Sequence, residues 1–158
     1  MKLLTTTLIM IIFATSANAQ HYSGEESSNK EIIVKAFQEW HNGNGNFFDL
    51  LTDDVHWEIT GSSPYSKVYT SKQEFLDKVI IPLNKKLKVK IKPTVRSIFA
   101  DSDMVIALWD GEAIALDGRP YKSSYSWYIK MKNGKITEVV AFLDGIEFAD
   151  IMKRIKTD

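Results

Sequence analysis

Apolar residues recur along this chain with two different periods, and the change of period divides it into a helical part and a strand-rich part. From Lys30 to Trp40, the residues Ile33, Val34, Phe37 and Trp40 fall on one face at 3.6 residues per turn. That spacing predicts a helix, with Asn29 as its N-cap. The run Asn42-Gly43-Asn44-Gly45-Asn46 ends it, because these residues accept the left-handed backbone of a helix stop. Phe47 to Leu51 suits a short second helix. Val55 to Ile59 alternates, with Val55, Trp57 and Ile59 on one face and His56 and Glu58 on the other, which predicts a half-buried strand. Gly61 to Lys67 reads as a loop. Ser71 and Glu74 form a capping box for a longer helix with Phe75, Leu76, Val79, Ile80 and Leu83 on its apolar face. Pro82 is expected to kink this helix or end its first part.

Beyond Leu87 the period becomes two. Val89 to Ile91, Thr94 to Ala100, Met104 to Ala113, Tyr121 to Met131 and Ile136 to Leu143 read as strands. Asp101-Ser102-Asp103 and Asn133-Gly134 read as turns, the second as a type I turn followed by a glycine bulge. A closing helix from Ile146 to Ile155 takes Asp144 as cap and Glu147 as its box partner. Helices followed by antiparallel strands on short turns predict an α+β fold, one curved sheet wrapped over N-terminal helices.

The first 19 residues stand apart. Met1-Lys2 is positive, Leu3 to Ala14 is largely apolar, and Ala17-Asn18-Ala19 is a small-residue cleavage pattern. This predicts a signal peptide cut after Ala19 and a secreted or periplasmic protein. Residues 20–29 form a polar, flexible lead-in, and residues 30–158 form the domain. The 139 residues after the cut carry 19 Lys+Arg against 20 Asp+Glu. That balance gives no electrostatic case for nucleic acid or for a membrane surface. The chain has no cysteine, so packing alone must hold the domain together.

Several short motifs occur in a telling order: Leu51-Thr52-Asp53-Asp54-Val55-x-Trp57-Glu58-Ile59-x-Gly61, Asp117-Gly118-x-x-Tyr121, Tyr125-x-Trp127, Gly134-Lys135-Ile136-x-Glu138 and Asp144. In these the chain resembles the NTF2-like superfamily and its SnoaL-like branch, related to ketosteroid isomerase, from about Ile32 onward. The resemblance implies a cone-shaped α+β barrel that admits a small apolar molecule and commonly pairs into a homodimer. It makes the pocket face Ser123, Tyr125, Trp127, Val139, Ala141 and Leu143, with Val105, Ala107, Trp109 and Gly111 beside it and Trp57 and Ile59 on the remaining wall. The hairpin turn is expected to pair Trp127 with Val139 and Tyr125 with Ala141.

The resemblance also implies where catalytic groups would stand. Lined up with ketosteroid isomerases, the general-base Asp falls at or beside Ile59, the hydrogen-bonding acid near Ser123, and the oxyanion-hole Tyr near Val34. Lined up with epoxide hydrolases and SnoaL-type cyclases, a catalytic acid falls at Ala141, and the hydrolase Arg and its partner Asp fall near Trp109 and Gly111. An aliphatic side chain moves no proton. Either a register differing by one residue brings in Glu58, or the protein is not one of those enzymes.

The remaining candidates have two readings each. Asp144 is either an acid at the pocket rim or the cap of the last helix. Trp57, Trp109, Tyr125 and Trp127 are either a ligand cage or ordinary core. Tyr65 and Tyr69 are lid or loop residues. His56 and Glu58 are a solvated pair or a dyad. His21, His41 and His56 lack ligand spacing, so neither a metal nor another cofactor is expected. Lys85, Lys86, Lys88, Lys90 and Lys92 read as the outer face of an edge strand. Val140, Phe142, Ile136 and Met131 form an apolar set for a partner copy. Two functions follow: a secreted module holding a small apolar or aromatic molecule, with ligand contacts at Trp57, Tyr69, Trp109, Ser123, Tyr125, Trp127 and Ala141; or an exported isomerase, cyclase or hydrolase using Glu58 or Asp144 as general base and Tyr125 or Ser123 for the oxyanion.

Overall fold

The computed structural model describes residues 14–157, with only the backbone described for residues 14–23 and 25. The first thirteen residues of the expected signal segment lie outside the described residues.

Helix α1 runs Ala14–Asn42. It therefore begins well before the expected start at Lys30, and the backbone of the expected lead-in, 20–29, is helical. Asn29 is not a cap: it lies inside α1, buried, and its Nδ2 has no partner among the described residues. Gly43, with φ of 73°, turns the chain out of the helix. A 3₁₀ turn, Phe47–Leu50, is capped by Asn46, whose side chain accepts from Phe48 N. Strand β1, Leu51–Ile59, follows, then the two-residue strand β2, Val68–Tyr69, in the short stretch between the expected loop and the Ser71 cap. Helix α2, Lys72–Phe75, starts at Ser71, whose Oγ accepts from Glu74 N. A π-helical turn, Leu76–Ile80, and helix α3, Ile81–Lys85, continue the same rod. Proline lacks an N–H and crowds the carbonyl four residues earlier. The π turn sits directly before Pro82 and divides the helix there.

Strands β3 (Leu87–Asp101), β4 (Met104–Ala115), β5 (Pro120–Lys132) and β6 (Lys135–Leu143) form a meander, closed by helix α4, Gly145–Arg154. The two short strands expected before Ala100 are one long β3. Pro93 lies in a regularly paired stretch of it, opposite Gly111, on an edge strand that tolerates a proline. The sheet order is β2-β1-β6-β5-β4-β3. The sheet curves but does not close, and β2 and β3 are its edges. It is also not wholly antiparallel, since β1 runs parallel to β6.

The β5–β6 turn differs from expectation. Asn133 and Gly134 both have positive φ, 52° and 71°, so the turn is the tight two-residue type with Lys132 paired to Lys135. The bulge lies deeper, between Lys130 and Met131. Trp127 consequently pairs with Ala141 and Tyr125 with Leu143, two residues from the expected partners. A shift of two keeps every side chain on its face, so the inner face is still Ser123, Tyr125, Trp127, Val139 and Ala141 (all buried). The outer apolar set is corrected. Met131 shares the parity of Trp127 and is buried, and the bulge turns Ile136 inward. Val140 and Phe142 remain outside. Phe99, Ile106, Tyr128 and Val140 lie in one row across four strands, with Phe142 against Tyr128 at 5.9 Å.

Lys86 departs from the solvated run. It is buried and donates to Ile155 O, at the end of α4, where unpaired carbonyls favour a cation. Arg154, paired within α4 to Asp150, joins that helix to the β4–β5 turn by an ion pair with Asp117. His41 Nδ1 donates to Pro93 O at 2.6 Å, fixing the end of α1 on β3.

Candidate functional site

Between the inner face of the sheet and the α2–α3 rod lies a cavity of about 600 Å³. Its sheet wall is Trp57 and Ile59 from β1, Trp109 from β4, Tyr125 and Trp127 from β5, and Ala141 and Leu143 from β6. Alternation along each strand puts these side chains on one face. The aromatic rings form a fixed arrangement. Trp57 stacks on Phe75 at 4.2 Å and Trp109 stacks on Tyr125 at 4.0 Å, with planes within 15° and 7°. Trp127 stands edge-on to both tryptophans, at 5.1 and 4.7 Å. Offset and edge-to-face contacts of this kind add to the burial that already holds aromatic rings in place. These residues are thus at once core and cavity wall.

The opposite wall is Trp40, Phe48, Phe75, Leu76, Val79, Ile80, Leu83 and Phe148, with Asn46, Asn84 and the exposed Lys90 among the polar residues. The helical spacing of Phe75 to Leu83 was legible as an apolar face. That this face covers a cavity depends on how the rod sits over the sheet, which periodicity does not report.

The candidate residues divide sharply. Trp57, Trp109, Tyr125, Trp127 and Ala141 meet at the cavity. Ser123 is buried on the same face but outside the lining, and its Oγ accepts from Asp144 N at 3.2 Å. Tyr69 lies behind the wall: its ring meets Phe75 edge-on at 5.6 Å and its hydroxyl donates to Tyr65 O. Tyr65 packs on Phe148 rather than over a mouth. Val34 faces a separate groove between α1 and β3.

Neither candidate base lines the cavity. The β1–β6 register places Ile59 beside Ala141 on the inner face and Glu58 beside Val140 on the outer one. Glu58 there borders a shallow outer groove with His56, Val68 and Glu138. Asp144 is exposed and caps α4, its Oδ1 accepting from Ile146 N and Glu147 N at 3.0 and 3.1 Å. Its box is not closed by Glu147, because the Asp144 N–H goes to Ser123. Among the described residues, no aspartate or glutamate lines this cavity.

The buried polar groups on the inner face of β5 include three hydroxyls, those of Tyr121, Ser123 and Tyr125. Tyr121 and Tyr125 share a hydrogen bond at 2.9 Å, and Ser123, between them on the same face of β5, is buried with them. Burial pushes both phenol pKa values up, so both stay protonated through the neutral range. Trp109 Nε1 is also buried and has no partner among the described residues.

This arrangement, an N-terminal helix and a rod of helical turns cupped by a curved six-stranded sheet around an apolar cavity, is the NTF2-like fold. An NTF2-like protein from Burkholderia thailandensis matches at TM-score 0.64 and 15% identity, over 79% of this chain and 97% of its own. TerC, co-crystallised with polyporic acid, matches at TM-score 0.63 and 15% identity, over 80% and 98%. A protein designated a SnoaL-like polyketide cyclase, from Jannaschia, matches at TM-score 0.63 and 11% identity, over 83% and 95%. No protein-family model and no curated protein matches the chain.

Proposed function

We propose that this is an exported SnoaL-like protein that holds a small apolar or aromatic molecule in its cavity and performs no acid–base chemistry through Glu58 or Asp144. One observation carries the reading. A cavity of about 600 Å³, within the size range of small-molecule sites, is walled by stacked aromatic rings, and no carboxylate among the described residues lines it. The co-crystal of TerC with polyporic acid supports it, since that protein of like fold takes up a small molecule. The designation of another as a polyketide cyclase keeps substrate-like ligands within the same chemical range. The alternative, an isomerase or cyclase with Glu58 or Asp144 as base, lacks the geometry a base needs, which is reach to a bound molecule. Export rests on the residue pattern before Gln20. Pairing through the outer face of the sheet rests on the exposed Phe99, Tyr128 and Phe142 there.

The test is titration with the neutral fluorophore N-phenyl-1-naphthylamine, followed by energy transfer from tryptophan. One saturable site per chain is expected, weakened at least tenfold by Trp127→Ala and unchanged by Glu58→Gln and Asp144→Asn. Absence of saturable binding, or its loss in Glu58→Gln, contradicts the reading.

A further inference from the structure

The chemical class of the ligand can be narrowed from the place where the cavity opens. This step rests on the binding reading above. Of the residues that line the cavity, Gly45, Asn46, Ile81 and Lys90 are exposed. They mark its mouth, between the turn after α1, the start of α3 and the first part of β3. Among the described residues, Lys90 is the one charged side chain in the lining. Strict alternation along β3 would put Lys88, Lys90 and Lys92 together on the outer face. The β3–β4 ladder prevents this. Leu87 pairs with Ala115 and Val89 with Ile114, so two residues on β3 match one on β4. Lys92 pairs with Glu112, so the next three residues on β3 match two on β4. Each irregularity holds one extra residue, and such bulges re-aim side chains.

Residues opposite each other share a face. Leu87 and Ala115 are buried, on the inner face, and the first bulge turns Val89 outward beside Ile114, where it is exposed. Lys90, the next residue, comes back to the inner face. Between Ile114 and Glu112 on β4 stands only the buried Ala113, and it faces the stretch that holds Lys90 and Ile91. Both of these residues line the cavity. The ammonium is held at the mouth, because its Nζ donates to Asn84 O on α3. Two of its three hydrogens remain. No carboxylate among the described residues pairs with Lys90. The two acids that touch the lining residues Gly45 and Asn46 are already partnered: Glu39 by Lys35 at 3.8 Å and Asp49 by Asn46 Nδ2 at 3.2 Å.

We propose that Lys90 pairs with a carboxylate of the ligand, so that the molecule held is an otherwise apolar aromatic acid, its rings against Trp109, Tyr125 and Trp127 and its acid at the mouth. A lone cation at the rim of an apolar cavity fixes which end of the molecule enters first. It also selects the anion over the neutral molecule of the same shape.

The experiment compares 2-naphthoate with 2-naphthamide, a neutral molecule of the same shape, by isothermal titration calorimetry at neutral pH and low salt. Wild type is expected to bind 2-naphthoate about fivefold more tightly, the worth of one ion pair at a partly exposed site. Lys90→Met is expected to remove the preference and leave 2-naphthamide affinity unchanged, and Lys90→Arg to keep it. Lys88→Met, in the same lysine run but outside the cavity lining, is expected to keep it too. A second readout needs no variant: the wild-type preference shrinks in high salt, which screens an exposed pair. Equal affinity of wild type for the two probes overturns the acid assignment and leaves the binding reading standing. A preference retained in Lys90→Met, or lost as fully in Lys88→Met, assigns it to other cations and also overturns the proposal. Binding of neither probe overturns the binding reading and this proposal with it.

Discussion

Single residues decide whether this inner face is a packed core or a wall. Trp127 touches both stacked pairs, and replacing it removes the ring that spaces them. Trp127→Ala is expected to cost about 3–5 kcal/mol, as for other large aromatic truncations, read from denaturant midpoints at constant m-value. Gly111 is the opposite case. Gly111→Ala brings a methyl to 3.1 Å from the Ile91, Trp109 and Tyr125 side chains, and each must yield a few tenths of an ångström. A loss of about 1 kcal/mol is expected from such overpacking. The near-UV dichroism of the Trp109–Tyr125 pair should change with it, and an unaltered spectrum would contradict the packing described. At this scale the sequence was informative where parity governs. Trp57, Trp109, Tyr125, Trp127 and Ala141 could be assigned to one face because alternation survives an error of two in register. Glu58 and Ile59 differ by one position, and only the observed β1–β6 pairing decides which of them points inward.

Elements carry the next level of the account. Asp144 serves α4 as its cap. Asp144→Ala is therefore expected to lose about 1 kcal/mol, while Asp144→Asn, which can also cap, stays near wild type. Equal losses in thermal melts of both variants would point to a role for the charge itself. Arg154 holds α4 to the β4–β5 turn. The hydrogen bond from Arg154 keeps the Asp117 carboxyl below its ordinary pKa, as the bond from Arg96 does for Asp110. Their folded values lie below the unfolded ones, so their contribution is present above about pH 4 and disappears as pH falls through the depressed values. Exposed pairs of this kind contribute little each. Arg154→Met should accordingly lower the melting temperature at pH 7 and leave it nearly unchanged at pH 2, as calorimetry can determine. A loss of equal size at both pH values would assign the effect to packing. Element type was largely readable from periodicity, whereas three features were not. The parallel contact of β1 with β6 joins segments far apart in the chain. The early start of α1 falls in a polar stretch without an apolar stripe. The fate of Lys86 depends on where α4 ends. The β1–β6 contact and the burial of Lys86 are set by tertiary contact rather than by local pattern.

At the scale of the whole molecule, the curved sheet has two faces with different uses. The inner one closes over the cavity. The outer one leaves Phe99, Tyr128 and Phe142 exposed in a connected area, which on a single chain has no covering. If two copies pair there, Phe142→Asp should shift the sedimentation coefficient from dimer to monomer without loss of the fold. A wild type that sediments as a monomer at micromolar concentration would contradict the pairing. The inner face bears the central proposal, that the aromatic cavity, which no aspartate or glutamate among the described residues lines, holds a ligand without transforming it. Native mass spectrometry of the protein purified from its own host, followed by denaturing extraction, tests that claim most directly. The account predicts one apolar, aromatic molecule per chain, recovered chemically unchanged after incubation with fresh protein. Conversion of that molecule during the incubation, or a chain that carries nothing and takes up no aromatic molecule when offered one, would contradict it.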